Sequence, residues 1–389
     1  MIGPGQDEAG LKARSAPANV QTSALLAYDY GPSHPLRVKR LDLTGQLIKA
    51  CGLPWPEENI APASLTQLAC FHDPGYLAAL EKFSDSGQGD EYYAFAYGLG
   101  LNDNPAFPGL WPMARLIAGA SLRAMEKVIS EGCPAVFVPS GGMHHALPGR
   151  ASGFCYINDL GIIIRHLLSR GHKVAYVDLD AHHGDGVQWP FYENDRVLTI
   201  SIHQSPLTLF PDSGLAEETG RGRGLGYAVN IPLWPDSDDD IYITCFEAVV
   251  PPLLRAFAPD YIITQLGVDG MWSDPMANLG LTTRAYLHCF RRLKDLAWGR
   301  WIATGGGGYN LMNVARCWTL AWAVMLGREN TLPSLLPAGF CARHNLDPED
   351  SFLLDPPGLR HGRHWLRAQE EYKQALTYLK THLMPRWGF

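Results

Sequence analysis

Short apolar runs alternate along the chain with segments of helical periodicity. The runs are almost continuously hydrophobic, and they lack the alternation of a strand that faces water on one side. This pattern is typical of strands buried on both faces of a parallel sheet. The predicted strands cover residues 24–28, 135–138, 174–178, 197–202, 261–265 and 301–304.

Helices are predicted between and after these strands. Residues 112–129 carry apolar side chains at helical spacing, 159–170 begins behind the cap residue Asn158 and stops before Gly171, and 364–383 forms a terminal helix that covers the sheet. No repeat, linker or break in composition divides the chain, so we predict one α/β domain over residues 23–389 with a mainly parallel central sheet. Residues 1–22, rich in Gly, Ala, Pro and polar groups, predict a flexible tail.

Composition narrows the class of protein. The 389 residues are 46% hydrophobic and 18% charged, with a formal net charge of -7. No Lys/Arg run forms a basic face, so we expect no nucleic-acid partner. No apolar run reaches membrane-spanning length, and we expect no membrane partner. The eight cysteines form no CxxC pair and the N-terminus shows no signal peptide, which together favour a reducing cytoplasm.

The residues after the predicted strand 174–178 are the most informative part of the chain. Three acids and two histidines occur within eight positions: Asp178, Asp180, His182, His183 and Asp185. Unpaired charges at a buried strand end are costly, so these groups need a metal or one another. A carboxylate and an imidazole two residues apart suit a divalent cation such as zinc.

Other predicted strand ends also carry chemistry. Glycines and histidines follow strand 135–138 at residues 141–145, an acid between glycines follows strand 261–265 at 267–270, and four glycines and a tyrosine follow strand 301–304 at 305–309. Ligands of parallel α/β sheets bind beyond the carboxyl ends of the strands. We therefore expect these segments to meet at one rim.

These residue types define a hydrolytic centre. Asp180, His182 and Asp269 make a three-ligand metal set, which for catalytic zinc leaves one position open. Zinc and ferrous iron both accept such ligands. The adjacent His144 and His145 each need a partner, and Asp178 and Asp185 are available to form two His–Asp pairs.

Tyr309 follows the glycine run. Glycines let a backbone approach a ligand closely, and a phenol placed there can donate a hydrogen bond to a developing oxyanion. A phosphate-binding loop is disfavoured because no Lys-Ser/Thr follows the glycines.

Taken together, these motifs resemble the zinc-dependent histone deacetylase family, including its bacterial and acetoin-utilisation-type members. The matching strings are residues 30–35, 141–146, 152–159, 178–187, 265–269 and 305–310. The resemblance spans roughly residues 24–325 and is weak beyond about 330. It implies the arginase/deacetylase α/β fold and amide hydrolysis of an acylated amine.

The resemblance also implies roles for single residues. Zinc falls on Asp180, His182 and Asp269. His145 with Asp185 is the main general base and acid, His144 with Asp178 is an electrostatic partner, and Tyr309 polarises the acyl carbonyl. The implied substrate-binding residues are Asp103, Gly153, Phe154, Phe210 and Met276, and Arg40 lies beneath the pocket. The implied sites for a structural K⁺ or Na⁺ are Asp178, Asp180, His182, Ser201 and Ile202, and Phe191, Asn194, Val197 and Tyr227.

Several readings of substrate and class remain open. We expect an acylated lysine in a protein or peptide, since Met276 is neutral where polyamine-preferring members carry a glutamate. Residues 205–210 are less aromatic than the usual loop, which leaves the acyl length open. The alternatives are an acetylpolyamine or other small-molecule amidohydrolase, a binuclear manganese ureohydrolase, and a non-catalytic binding protein. The oligomeric state is not indicated.

Overall fold

The fold is a seven-stranded parallel sheet with helices on both faces, given by a computed structural model that describes residues 15–86, 91–100, 103–347, 351–358 and 361–389. The strand order is β1-β2-β7-β6-β3-β4-β5. The strands are β1 (Ala18–Asn19), β2 (Ala135–Val138), β3 (Val174–Asp178), β4 (Val197–Gln204), β5 (Ala228–Leu233), β6 (Tyr261–Gln265) and β7 (Trp301–Thr304).

Strand register brings the carboxyl ends of the central strands together. Asp178, the last residue of β3, is paired with Ser201 of β4 on one side and with Gln265 of β6 on the other. Gln265 is in turn paired with Thr304 of β7. The loops that leave β3, β6 and β7 therefore start side by side, as expected for ligand-binding loops of a parallel sheet.

Helices flank this sheet. The α-helices are α1 (Lys39–Ala50), α2 (Leu65–Leu68), α3 (Pro74–Ser86), α4 (Glu91–Tyr97), α5 (Leu110–Ser130), α6 (Asp159–Ser169), α7 (Asp185–Gln188), α8 (Asp239–Phe257), α9 (Thr283–Leu296), α10 (Leu311–Leu326), α11 (Ala338–His344) and α12 (Trp365–Tyr378). Short 3₁₀ turns cover Ser23–Ala27, Trp189–Phe191, Gly222–Gly224, Glu329–Thr331 and Met384–Trp387, and α12 continues into a π turn at Leu379–Leu383.

The two faces of the sheet belong to two hydrophobic cores. In β3, Ala175 and Val177 point into the core that contains α8, α9 and α10, whereas Val174 and Tyr176 point into the core that contains α5 and α6. Successive strand residues face opposite sides, so an uninterrupted apolar run is needed to fill both cores. This explains why the strands lack polar alternation.

Most predicted elements are present. Strands 135–138, 174–178, 261–265 and 301–304 have the predicted bounds, and the strand predicted at 197–202 extends to Gln204. The helices predicted at 112–129 and 159–170 match α5 and α6 within two residues, and the terminal helix packs against β5 and α8. β1 and β5 were not predicted. No helix in the described ranges is long and apolar enough to cross a membrane.

The N-terminal part differs from two expectations. The strand predicted at 24–28 was wrong, because Ser23–Ala27 forms a 3₁₀ turn in which the Thr22 side chain accepts the N–H of Ala24. Leu26 in this turn is 42% exposed, so the run lacks the burial of a central strand. The tail predicted at 1–22 contains β1, which pairs with β2; residues 1–14 lie outside the described part of the chain.

Candidate metal and catalytic site

Asp180, His182 and Asp269 come together at the carboxyl edge of the sheet. One ligand atom of each lies within 4.8 Å of the others, and all three residues are buried. His182 Nδ1 lies 2.9 Å from Asp269 Oδ2 and 3.2 Å from Asp180 Oδ1. The loop after β3 supplies two of these residues and the loop after β6 supplies the third.

Backbone and amide donors hold these carboxylates in place. Gln265 Nε2 and the N–H of Gly307 donate to Asp180 Oδ2 over 2.6 and 2.7 Å, and the N–H of Ala181 donates to Asp269 Oδ1 over 2.8 Å. A Cβ at Gly307 would overlap the Asp269 carboxylate. The glycine run therefore allows its backbone to lie against the site. The sequence pattern did not single out Gln265, whose side chain binds the Asp180 carboxylate.

The donor set fits a divalent cation. Two buried carboxylates face one imidazole. Burial and the neighbouring Asp180 raise the pKa of Asp269 to about 7. Burial disfavours the His182 imidazolium, yet the two carboxylates raise the pKa of His182 to about 10. Both shifts favour protons on Asp269 and His182, because they reduce the negative charge of the buried carboxylates. A cation bound by the carboxylates and the imidazole would take the place of these protons.

Two His–Asp pairs lie beside this triad. His144 Nδ1 is 2.8 Å from Asp178 Oδ2, and His145 Nδ1 is 2.7 Å from Asp185 Oδ1. All four residues are buried. The ring centroids of His145 and His182 are 5.9 Å apart, which places the first imidazole next to the candidate metal ligands.

The loop that carries both histidines is itself anchored by a buried carboxylate. Asp159, at the start of α6, accepts the N–H groups of Gly142 and Met143 and the hydroxyl of Ser121. Gly142 has a φ of 97°, in the left-handed region that favours glycine. Asp159 was noted in the sequence only as a helix start, since nothing local signals this contact.

The ring of Tyr309 packs edge-on against the ring of Phe154, a predicted substrate-binding residue, with the centroids 5.7 Å apart. Burial, together with the Asp269 and Asp180 carboxylates, raises the pKa of the Tyr309 phenol well above 10. The phenol therefore stays protonated at neutral pH and can act as a hydrogen-bond donor.

Two more of the predicted substrate-binding residues, Phe210 and Gly153, lie beside His145. Phe210 packs edge-on against the ring of His145 at a centroid distance of 5.1 Å. A Cβ at Gly153 would lie 2.5 Å from His145 Cδ2 and 3.0 Å from Phe210 Cε1, so only glycine leaves this space open. Met276 is partly exposed in the loop after β6.

Asp103 lies at the surface of the protein, whereas Arg40 is buried. Asp103 is exposed, and its carbonyl oxygen lies 3.3 Å from His34 Nε2. Arg40 is buried beneath the site, where its guanidinium donates to the Gly308 carbonyl over 3.1 Å and covers the ring of Trp318.

The residues predicted for monovalent cations fall into two groups near β3 and β4. Ser201 and Ile202 continue β4 beside Asp178. In the second group, the Phe191 carbonyl accepts the N–H of Asn194, and the Tyr227 carbonyl accepts the N–H of Thr199. Val197 begins β4 between them.

The fold and site together are those of an α/β protein with a candidate metal centre beside two His–Asp pairs, and comparison with known proteins identifies the class. The family profile for the histone deacetylase domain matches residues 34–325. The acetoin utilization protein AcuC of Bacillus subtilis is 37% identical over 308 residues, covering 77% of this chain and 79% of that protein. Histone deacetylase 8 of Xenopus tropicalis is 36% identical over 302 residues, covering 77% and 80%.

Solved structures show the same relationship. The crystal structure of an HDAC homologue from Aquifex aeolicus has a TM-score of 0.83 at 30% identity and covers 93% of this chain and all of that chain. An HDAC homologue complexed with SAHA also gives a TM-score of 0.83, at 31% identity and with the same coverage. The chain therefore belongs to the histone deacetylase family, has its arginase/deacetylase fold, and is a deacetylase of the hydrolase class.

Proposed function

We propose that the protein removes acetyl or other acyl groups from the ε-amine of lysine in proteins or peptides, with a zinc-activated water as the nucleophile. One observation carries this proposal: three groups meet at the carboxyl edge of the sheet. They are the triad Asp180, His182 and Asp269, the two His–Asp pairs, and Tyr309. In this arrangement the three groups would act as the metal site, the proton carrier and the oxyanion donor.

Asp180, His182 and Asp269 would hold the zinc ion, and ferrous iron suits the same ligands. When bound, the metal supplies a Lewis acid that makes water acidic and polarises an acyl carbonyl. The bonds from Gln265 and Gly307 to Asp180 keep the carboxylate oriented before any metal arrives.

His145 is the group we assign to proton transfer. Burial and the neighbouring His144 lower the pKa of His145 to about 4, so its imidazole is neutral at pH 7 and able to accept a proton. Asp185 occupies Nδ1, which leaves Nε2 for the reacting water and then for the leaving amine.

His144 and Tyr309 stabilise charge. Burial opposes the His144 imidazolium, but Asp178 and Asp180 raise its pKa to about 9 and keep it positive at neutral pH. The Tyr309 phenol donates a hydrogen bond to the carbonyl oxygen as negative charge develops there.

The lining of the tunnel favours a neutral acyl-lysine. Phe154 packs against Tyr309, Phe210 packs against His145, and Gly153 lies beside both His145 and Phe210. These three residues would form the walls of an apolar slot, which suits a four-methylene stem. Met276 brings no charge to the rim, which disfavours a polyamine. An HDAC homologue of the same fold has been crystallised with SAHA. Asp103, exposed at the rim, would accept backbone N–H groups of the bound peptide.

The remaining assignments rest on the family resemblance. Potassium or sodium would stabilise β3 and β4 from two sites: one at Asp178, Asp180, His182, Ser201 and Ile202, and one at Phe191, Asn194, Val197 and Tyr227. Arg40 would lie on the path by which a released carboxylate leaves. The eight free cysteines favour a reducing cytoplasm.

Metal removal tests the proposal. We expect the chelated protein to release no acetate from an acetyl-lysine peptide, and we expect one equivalent of zinc to restore turnover. Full turnover after chelation, with metal absence checked by elemental analysis, would contradict the proposed mechanism.

A further inference from the structure

Asp274 gathers three backbone N–H groups from two loops. Its Oδ2 accepts the N–H of Tyr309 over 2.7 Å and that of Asn310 over 3.1 Å, while Oδ1 accepts the N–H of Met276 over 3.0 Å. The carboxylate is 7% exposed. One side chain in the loop after β6 therefore fixes both the start of the tyrosine segment and the loop that carries Met276.

Neighbouring side chains reinforce this connection. Asn313 Nδ2 donates to Ser273 Oγ over 2.9 Å, and Asn310 Nδ2 lies 3.4 Å from the Ser273 carbonyl. Asn310 Oδ1 also accepts the N–H groups of Met312 and Asn313 and so caps α10. The segments 273–276 and 309–313 are thus joined by side-chain bonds around Asp274.

The tyrosine segment needs such an anchor. Tyr309 follows four glycines, of which Gly306 and Gly308 have φ values of 150° and 135°. Glycines restrict the backbone least, so the run by itself does not fix the direction of the phenol. Hydrogen bonds to Gly307 and Gly308 hold the run itself. The bond that the Tyr309 N–H donates to Asp274 adds a restraint at the residue that carries the phenol.

We propose that Asp274 is a positioning residue that holds the Tyr309 phenol at the site of the developing oxyanion. The inference rests on the proposed role of Tyr309 and adds a residue that acts through it. A carboxylate suits the task because all of its lone pairs accept. An asparagine there would turn an NH₂ donor toward backbone N–H groups and leave a buried donor without a partner.

The expected effect is on turnover. Misplacing a catalytic group by about 1 Å costs on the order of 10²-fold in rate, so we expect Asp274→Asn to lower kcat by about 10²-fold. Because the phenol acts mainly in the transition state, we expect KM to change little.

A double-mutant cycle tests whether Asp274 acts through Tyr309. The variants Asp274→Asn, Tyr309→Phe and the double variant are assayed on one acetyl-lysine peptide. We expect the double variant to have the kcat of Tyr309→Phe, because the phenol is then no longer there to be positioned. Losses that multiply in the double variant would overturn the inference. A wild-type rate in Tyr309→Phe alone would instead overturn the proposed role of the tyrosine.

Asp239→Asn provides a matched control. Asp239 is also a buried carboxylate with two bonds, from the N–H and hydroxyl of Thr282, but it lies at the start of α8. We expect this variant to lower the melting temperature and to change kcat by the same factor in the wild-type and Tyr309→Phe backgrounds. A Tyr309-dependent effect of Asp239→Asn would show that the cycle detects general destabilisation and would overturn the inference.

Asn313→Ala keeps the inference testable if Asp274→Asn does not fold. It removes only the bond to Ser273, and alanine is favourable within a helix. We expect a smaller loss of kcat that disappears in the Tyr309→Phe background. An unchanged rate, or a loss that persists there, would contradict the inference.

Discussion

His144 and His145 lie with their ring centroids 4.0 Å apart, yet their pKa values are displaced in opposite directions, to about 9 and about 4. Each ring is held by its own carboxylate through Nδ1. The difference arises because His144 also feels the Asp180 carboxylate, whereas His145 feels the charge of His144. Without a metal, one ring is therefore positive and the other neutral at neutral pH. This difference supports the proposed division of roles, with His144 in electrostatic stabilisation and His145 in proton transfer.

This separation predicts unequal effects of removing the two rings. We expect His145→Ala to lower kcat by about 10²- to 10⁴-fold, the usual contribution of a general base, and His144→Ala to lower it less. Steady-state kinetics on an acetyl-lysine peptide measure both. Equal losses, or a larger loss in His144→Ala, would reverse the assignment.

Removing the phenol is expected to affect chemistry and not metal binding. Tyr309→Phe should retain zinc and lower kcat by about 10²- to 10³-fold, as for loss of one oxyanion donor. Elemental analysis and kinetics on the same preparation check the two parts. A wild-type rate at full zinc content would contradict the oxyanion role.

The ligand assignment predicts loss of metal. We expect Asp180→Ala and Asp269→Ala to bind less than a tenth of the zinc bound by the wild type, since each removes one of three ligands. Asp239→Asn changes a buried carboxylate that binds Thr282 and is not one of the three ligands, and this variant should retain full zinc. Full occupancy in either site variant would remove that residue from the ligand set.

A side chain added at Gly153 is expected to hinder binding of the substrate. An added Cβ would lie 2.5 Å from His145 Cδ2 at a φ of 50°. We therefore expect Gly153→Ala to lower kcat/KM by at least about 10-fold while zinc content stays at the wild-type level. Gly132→Ala, which meets no atom within 4 Å although its φ is also positive, is the matched control. An equal effect of both substitutions would show that the strained φ, and not the narrowed tunnel, is responsible.

The buried His72, which is not one of the proposed catalytic groups, is expected to make the stability of the protein depend on pH. Its Nε2 accepts the N–H of Asn158 and its Nδ1 faces the Pro148 carbonyl, so the buried ring must be neutral with the proton on Nδ1. Burial lowers the pKa of His72 from 6.5 to about 4. The unfolded chain therefore binds more protons between these values, and stability is present above pH 6.5 and is lost as the pH falls towards 4.

Comparison with His72→Gln measures this contribution. Between about pH 7.5 and pH 5, we expect the free energy of unfolding of the wild type to fall by about 2 kcal/mol more than that of the variant. Denaturant titrations at both pH values give the difference. Parallel losses in the two proteins would show that His72 is not the group responsible.

The sequence predicts those features that depend on local pattern. Strands β2, β3, β6 and β7 were placed with their observed bounds, because burial on both faces requires an uninterrupted apolar run. Strand β5 was not predicted because Asn230 and Pro232 interrupt its apolar sequence. Proline is tolerated there because β5 is an edge strand. Two-residue β1 is too short to leave a pattern.

The site shows the same limit. Asp180, His182 and Asp269 could be grouped from the sequence because chemistry-bearing residues end neighbouring strands. The contacts of Asp159 and Asp274 could not be predicted in this way. Asp159 accepts backbone N–H groups from the loop after β2, and Asp274 accepts the N–H of Tyr309, which follows α9 and β7. Such contacts arise only once the loops are packed, and a lone aspartate gives no sign of them.

The most direct test of the proposed function is the turnover of zinc-loaded protein on an acetyl-lysine peptide and on an acetylated polyamine, measured side by side. The proposed apolar tunnel and the neutral Met276 predict a higher kcat/KM for the peptide. A higher value for the polyamine would contradict the assignment to lysine deacylation while leaving the catalytic groups in place.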